Sequence, residues 1–398
     1  MALPLSSRIS AIQPSPTVAL NARATALGKE GINVLNFAVG EPDFPTPQLV
    51  VDKAIASLKA GRTKYGPAGG GPELRKAIAA KLKRDNRVDF SPDHIVVGIG
   101  AKEILFHTFL AILNEGDEVL VPNPYWVSYA DQILAAGARA VTLPLPEDLV
   151  KSPPIDVAAI EKMATAKTRA FVFNSPNNPA GYVLSKSELI KLGEFLKKKD
   201  WWIIADEIYE YLAFDSPHYS LLELFPELAD RYILINGMSK GFAMTGWRVG
   251  YAAGPAAVIK LVKSLQSHSS TCVPGFIEDA ATVALHEGAR LMAPEIEIFR
   301  KRRDIAATEL GAIPHLDFFK PQGAFYVFLD VRNIIAKSAN FKTGTTMALS
   351  ERLLNEYHVA LVPGEAFGAP GFLRLSYATS EDTLRQGIAR LRQAFAAL

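Results

Sequence analysis

The sequence predicts an α/β protein built on a large, mostly parallel sheet with helices on both faces. Three observations predict it. From about residue 94 to 253, short apolar or β-branched runs alternate with helical patterns, as parallel strands joined by crossover helices do. Two of those runs, AFVFN from Ala170 and WWIIA from Trp201, are almost wholly apolar instead of alternating, which marks strands buried on both faces. At 398 residues the chain is also long enough for two domains.

Composition narrows the function classes. Hydrophobic residues make up 49% and charged ones 21%, and the formal net charge is +2, so neither nucleic acid nor an anionic membrane is expected as partner. A single cysteine, Cys272, rules out an internal disulfide and any multi-cysteine metal site. The seven histidines show no HxxxH or HExxH spacing, and no metal is expected. No apolar run reaches the ~18 residues of a membrane span. The start, MALPLSSRIS, has neither a signal nor a transit-peptide pattern, and the chain reads as cytoplasmic.

Residues 1–16, with Pro4, Pro14 and Pro16, read as an extended arm, followed by a helix from Val18 to Lys29 that Gly31 stops. The short run Val34–Phe37 leads into GEPDFPTP from Gly40, where Pro42 and Pro45 force extended backbone and Gly40 leaves its amide bare to a ligand. A plain interdomain linker is the alternative. A helix from Gln48 to Lys59 precedes KYGPAGGGPELRKAIAAKL, which begins at Lys64. No GK[ST] follows its glycines, so it is not a nucleotide P-loop; Pro72-Glu73 opens a helix with Leu74, Ile78 and Leu82 inward.

The strand His94–Val97 passes through a glycine turn into a helix. Gly98-x-Gly100 starts like a dinucleotide fingerprint, but Glu103 occupies the third glycine position and no acidic residue closes the next strand, which disfavours a nicotinamide oxidoreductase. Bare amides at Gly100, Ala101 and Lys102 still suit an anion at a helix N-terminus, unless Lys102 merely begins its helix and faces solvent. Trp126, in NPYWVSY just past a strand end, is core or a platform for a ring. Strands near Arg139–Leu143 and Arg169–Asn174 alternate with helices near Asp156–Met163 and Ser185–Lys198. In NNPAG, Asn177 and Asn178 are turn formers or ligand donors. The run from Trp201 ends in Asp206, a carboxylate that in such a place needs a cation or hydrogen bonds, or caps a helix. Tyr209, three residues later, shares its face.

The segment RYILINGMSKGFAMTGWRVGY, from Arg231, is a strand, a break at Asn236-Gly237, and a second strand near Val249. Between them Lys240 stands among Gly241, Phe242, Ala243, Met244 and Trp247. Apolar surroundings lower a lysine's pKa and make its amine nucleophilic, as a Schiff-base lysine requires. Arg248 adds a donor fork suited to phosphate; a surface lysine and a turn arginine are the alternative. Four strand ends, at Gly100–Lys102, Asn178, Asp206 and Ser239–Lys240, thus point to the carboxyl edge of the sheet, where ligands of open α/β sheets bind. From Pro255 to Leu310 the pattern is helical, broken near residues 271–275. The stretch Ala293–Leu310 reads as a linking helix, with RKRRD as a solvated face. GAFYVFLDV, a helix Thr345–Tyr357, VALVPG, GFLRLSYATS and a last helix follow. Arg374, between two leucines, needs an anion, either an internal carboxylate or a ligand.

In this order, GEPDF, NNPAG, DEIY, SKGFAMTGWRVGY and RLSYA resemble the class I, fold-type I pyridoxal-phosphate aminotransferases over nearly the whole chain, closest to their prokaryotic-type aspartate aminotransferase branch. The resemblance implies a large α/β domain over 48–292 and a smaller α+β domain from 1–47 plus 293–398. It implies that Lys240 holds pyridoxal 5'-phosphate as an internal aldimine and then shuttles the proton. Asp206 would keep the ring nitrogen protonated, Asn178 and Tyr209 would meet the phenolic oxygen, and Trp126 would stack on the ring. Gly100, Ala101, Lys102, Ser239 and Arg248 would hold the phosphate, joined by Tyr65 of a neighbouring subunit in a homodimer with shared sites. Gly40, Trp126, Asn178, Lys102 and Arg374 would face the substrate, Arg374 pairing with its α-carboxylate. The expected substrates are an L-amino acid, aspartate or glutamate, and a 2-oxo acid. Two departures stand out: Ala180 where threonine is usual, and HSSTCVPGFIEDA, which places Cys272, Val273, Glu278 and Asp279 where STSNPTSIAQ is the common form. In the family that this chain resembles, substrate choice is partly set in that stretch, so aromatic, aliphatic or prephenate specificity stays open, as does a lyase or cyclising synthase on the same cofactor. A DNA-binding regulator on this fold would need about 60–100 further residues, and the arm is too short.

Overall fold

The computed structural model describes residues 3, 5–146, 148, 155–338, 341 and 344–398, so Pro4 of the expected arm lies outside them. Thirteen strands are present among these residues: β1 Leu35–Asn36, β2 Ile95–Ile99, β3 Glu118–Val121, β4 Arg139–Thr142, β5 Thr168–Asn174, β6 Trp202–Asp206, β7 Tyr232–Gly237, β8 Val249–Ala253, β9 Asp317–Phe318, β10 Tyr326–Asp330, β11 Val359–Ala360, β12 Val362–Pro363 and β13 Phe372–Ser376.

Seven of them form one sheet in the order β2-β8-β7-β6-β5-β3-β4. All run parallel except β8, which is antiparallel to both β2 and β7. Its two-sided burial explains the apolar runs. Phe171, Phe173, Ile203, Ala205 and Leu234 pack to one side, and Val172, Ile204, Ile233 and Ile235 to the other. Truncating one such side chain to alanine costs about 2–5 kcal/mol, which fixes the register of the strand ends. Because β2, β5, β6 and β7 are parallel, their last residues share one edge. The reversed β8 begins at that edge, with Ile99 opposite Val249 and Gly237 opposite Gly250, so Arg248 arrives beside the ends of β2 and β7.

Two glycines let the backbone converge there. Gly100 opens the helix Gly100–Ile112 with φ +80°, and a Cβ on Gly250 would lie 2.0 Å from the Ala101 nitrogen. Three helix starts expected from the sequence are capped by side chains. Ser185 and Glu188 make a capping box at the helix Lys186–Leu196, while Asp156 and Thr345 cap Val157–Met163 and Thr346–Tyr357.

A second, antiparallel sheet has the order β12-β13-β10-β9, with Arg374 of β13 between Phe328 of β10 and Val362 of β12. The β1–β11 pair ties the N-terminal segment to the C-terminal part. No helix of the described residues is long and apolar enough to cross a membrane.

Four expectations are corrected. The arm is not extended throughout, since Ser7–Ser10 form a helical turn. The next helix starts at Pro16 rather than Val18, with proline in the first-turn position that tolerates its missing N–H. His94 belongs to a 3-10 turn, Pro92–His94, ahead of β2. The RKRRD run is not a solvated face. The helix Ala293–Gly311 buries Phe299, Arg302, Arg303, Ala306 and Leu310, which helical periodicity places on one side. Arg302 pairs with Asp43 at 2.6 Å and Arg303 with Asp215 at 2.5 Å.

Candidate active site

The strand ends enclose a cavity of about 260 Å³ lined by Gly40, Ala101, Lys102, Trp126, Asn178, Asp206, Tyr209, Ser239, Lys240, Arg248 and Arg374. All of these were expected site residues. Of the others, Gly100 lies just beneath Arg248, and a Cβ there would come within 2.5 Å of the guanidinium. Tyr65 is outside the cavity, on a projecting loop, and is 91% exposed.

Lys240 stands on the helical turn Met238–Gly241 that follows β7. Its Nζ donates to the Gly40 carbonyl at 2.5 Å. Burial pushes its pKa down to about 8; Glu41 pulls it up, while Arg374, Arg248 and Lys102 push it further down. At pH 7 roughly one amine in ten is then neutral, against about one in 2,500 for an ordinary lysine. Asp206 ends β6. Its Oδ2 accepts from the Tyr129 hydroxyl at 2.7 Å and its Oδ1 from the Ile208 amide at 3.2 Å. Burial nevertheless raises its pKa to about 6, so a cation set against it would be strongly held. The Ile208 bond is the cap-like contact that sequence alone allows, and it leaves room for the second role.

Arg374 is fully buried, donating to Asn178 Oδ1 at 3.0 Å and to the Ala38 carbonyl at 2.9 Å. Its guanidinium lies 4.4 Å from the centre of the Tyr326 ring, and its Nε has no hydrogen-bond partner among the described residues. No carboxylate among the described residues pairs with it, so the internal-anion alternative fails. Asn178 Nδ2 is 3.4 Å from the Tyr209 hydroxyl, which is 3.0 Å from that of Tyr326. Arg248, at φ +58°, donates to the Thr245 carbonyl at 2.9 Å and has no acidic partner among the described residues. Lys102, open to solvent at the cavity mouth, has its Nζ 5.0 Å from the Trp126 ring centre. Desolvation, then the charge of Arg248, lowers its pKa.

Among the described residues the lining therefore holds four cations, Lys102, Lys240, Arg248 and Arg374, and one carboxylate, Asp206. Such a site collects anions. A phosphate would find Arg248 and the free amides at the start of the Gly100–Ile112 helix. A protonated ring nitrogen would find Asp206, and an aldehyde the amine of Lys240. These features of the chain fit pyridoxal 5'-phosphate.

Several contributors escaped the sequence reading. Tyr129 lies one helical turn after Trp126, a spacing that was visible. Tyr326 and Asn174 were hidden in strands whose facing could not be assigned. Ser15, Thr17 and Val18 reach the cavity mouth from a region read as arm and helix. Glu278 and Asp279, expected in a stretch tied to substrate choice, do not line the cavity; they bond Gly71, and Ser57 with Arg62.

A family described as aminotransferase class I and II matches residues 32–391. The chain is 44% identical to a probable aspartate/prephenate aminotransferase of Aquifex aeolicus over 393 residues, 98% of each protein. It is 41% identical to an aspartate aminotransferase of Bacillus subtilis over 98% of each. Its structure is similar to that of the Thermus thermophilus aspartate aminotransferase with maleate, with a TM-score of 0.91 at 40% identity, covering 99% of this chain and 100% of that one.

Proposed function

The chain belongs to the class I and II aminotransferases, and from that premise we propose that it moves amino groups between L-aspartate or L-glutamate and 2-oxo acids with pyridoxal 5'-phosphate on Lys240. The observation that carries the reading is Lys240 itself. It is a buried amine with its pKa pushed down to about 8, in a cavity whose other three cations have no acidic partner among the described residues.

The group would be held by Lys240 at its aldehyde, Asp206 at the ring nitrogen, and Asn178 and Tyr209 at the phenolic oxygen. Trp126 would lie against the ring. The Ala101 and Lys102 amides, Ser239, Arg248 and Tyr65 of the partner subunit would take the phosphate. When bound, it supplies an electron sink for the pair left when the substrate Cα loses its proton. Asp206 would hold the proton on the ring nitrogen. Lys240 Nζ would take the Cα proton as general base and return it as general acid. Arg374 pairs fork to fork with the α-carboxylate and so sets the Cα toward Lys240.

A homodimer with shared sites, supported by Tyr65 projecting from its own chain, belongs to this proposal. So do a division into 48–292 and 1–47 plus 293–398 and a cytoplasmic setting. The division is supported by the two sheets, one drawn from 95–253 and the other from 317–376.

A dicarboxylic substrate needs a second cation, and Lys102 is the one at the cavity mouth. Two names support two readings: aspartate, and prephenate as amino acceptor, which also carries two carboxylates. Lys102→Ala should raise KM for aspartate at least ~10-fold, the loss of about one charge-assisted hydrogen bond, while barely changing KM for alanine or phenylalanine. Equal losses on all three would remove Lys102 from side-chain recognition, and a wild type inactive on aspartate but active on prephenate would select the second reading.

A further inference from the structure

The loop from Lys64 to Gly71 carries Tyr65 outward, and it is anchored unusually well for a glycine-rich turn. Gly70 has φ +94° and lies so close to Val97 that a Cβ would meet it at 2.7 Å. The Gly69 carbonyl accepts from the Val97 amide at 2.9 Å. The Gly66 amide lies 3.3 Å from Cys272 Sγ. At the far end the Gly71 amide donates to Glu278 Oε1 at 3.0 Å, with Glu278 only 4% exposed. Before the loop, Arg62 donates to both carboxylate oxygens of Asp279 at 3.2 and 3.3 Å, and Ser57 to one of them at 2.8 Å. Two adjacent carboxylates of the helix Gly275–Glu287 thus grip both flanks of the loop. A buried carboxylate is costly unless it is used, and Glu278 touches no group of the cavity.

We infer that Glu278, with Asp279 beside it, is a positioning residue that fixes the loop so that Tyr65 is presented to the partner subunit's site. The inference rests on the reading above that Tyr65 completes that site. Because Glu278 and Tyr65 are on one chain, the effect of Glu278 falls on the cofactor of the opposite subunit, whereas a general loss of packing would fall on its own.

Hybrid dimers separate the two. One subunit carries Lys240→Ala, so each hybrid has a single competent site, on the other subunit, and its pyridoxal-phosphate dissociation constant is read by absorption titration. Placing Glu278→Ala on the Lys240→Ala subunit should weaken the live site threefold to tenfold. Placing it on the live subunit should leave that site within twofold of wild type. Glu278→Gln, which keeps an acceptor for Gly71, should restore the affinity. Glu278→Met, of similar size but without an oxygen acceptor, carries the same expectation as the alanine variant if that one does not fold. Tyr65→Phe on the Lys240→Ala subunit is the control. If it fails to weaken the live site, the shared-site reading is wrong and the inference goes with it. If it weakens the site but neither Glu278→Ala nor Glu278→Met does so from the same subunit, the positioning role alone is refuted.

Discussion

Lys240 and Asp206 show how burial divides labour between single residues. The same desolvation lowers the amine to about 8 and raises the carboxyl to about 6. The amine reacts only when neutral. Capture of pyridoxal phosphate by the cofactor-free chain should therefore speed up with pH as Lys240 deprotonates, then level off above about pH 8. A stopped-flow pH series checks this, and a rise continuing past pH 10 would mean an ordinary lysine. For Asp206 the charge matters more than the shape. Asp206→Asn should still bind the cofactor but transaminate at least ~100-fold more slowly, equivalent to about 2.7 kcal/mol at the transition state. Near-normal turnover would remove Asp206 from that role. Both residues were marked in the sequence by their apolar neighbours together with the motifs DEIY and SKGFAMTGWRVGY, since apolar surroundings alone left a helix cap and a surface lysine open. Tyr326 was not, since one aromatic in the run FYVF gives no sign of which faces the cavity.

The site is also a product of how elements meet. The antiparallel β8 carries Arg248 back to the carboxyl edge, and Gly250 lets the start of the Gly100–Ile112 helix rest on it. Gly250→Ala should destabilise the fold by about 1–3 kcal/mol and weaken cofactor binding at the displaced amides, measured by urea unfolding and by absorption titration. Unchanged values in both would show that the contact has slack. Strand and helix positions were mostly readable to within a residue or two, from apolar runs and helical patterns, whereas the caps Asp156 and Ser185 emerged only in the structure. The reversal of β8 was not readable, because periodicity does not record direction. The buried arginines were misread for another reason. Charge runs are mostly solvated, but Arg302 and Arg303 fall on the same helical face as Phe299 and Ala306, and their partners Asp43 and Asp215 lie far away in sequence.

At the scale of the whole molecule, residues from 15 to 374 meet at one cavity. The ordered motifs marked most of them, whereas the mouth formed by Ser15, Thr17 and Val18 depends on how the N-terminal helix docks, which no local pattern encodes. The central claim is that this convergence exists to load Lys240. The most direct measurement is borohydride reduction of the pyridoxal-phosphate-loaded protein, followed by peptide mapping, with and without prior addition of L-aspartate. The account predicts a phosphopyridoxyl group on Lys240 alone, absent in Lys240→Ala and lost when aspartate is added first. A label on another lysine, or one on Lys240 that aspartate leaves untouched, would contradict it.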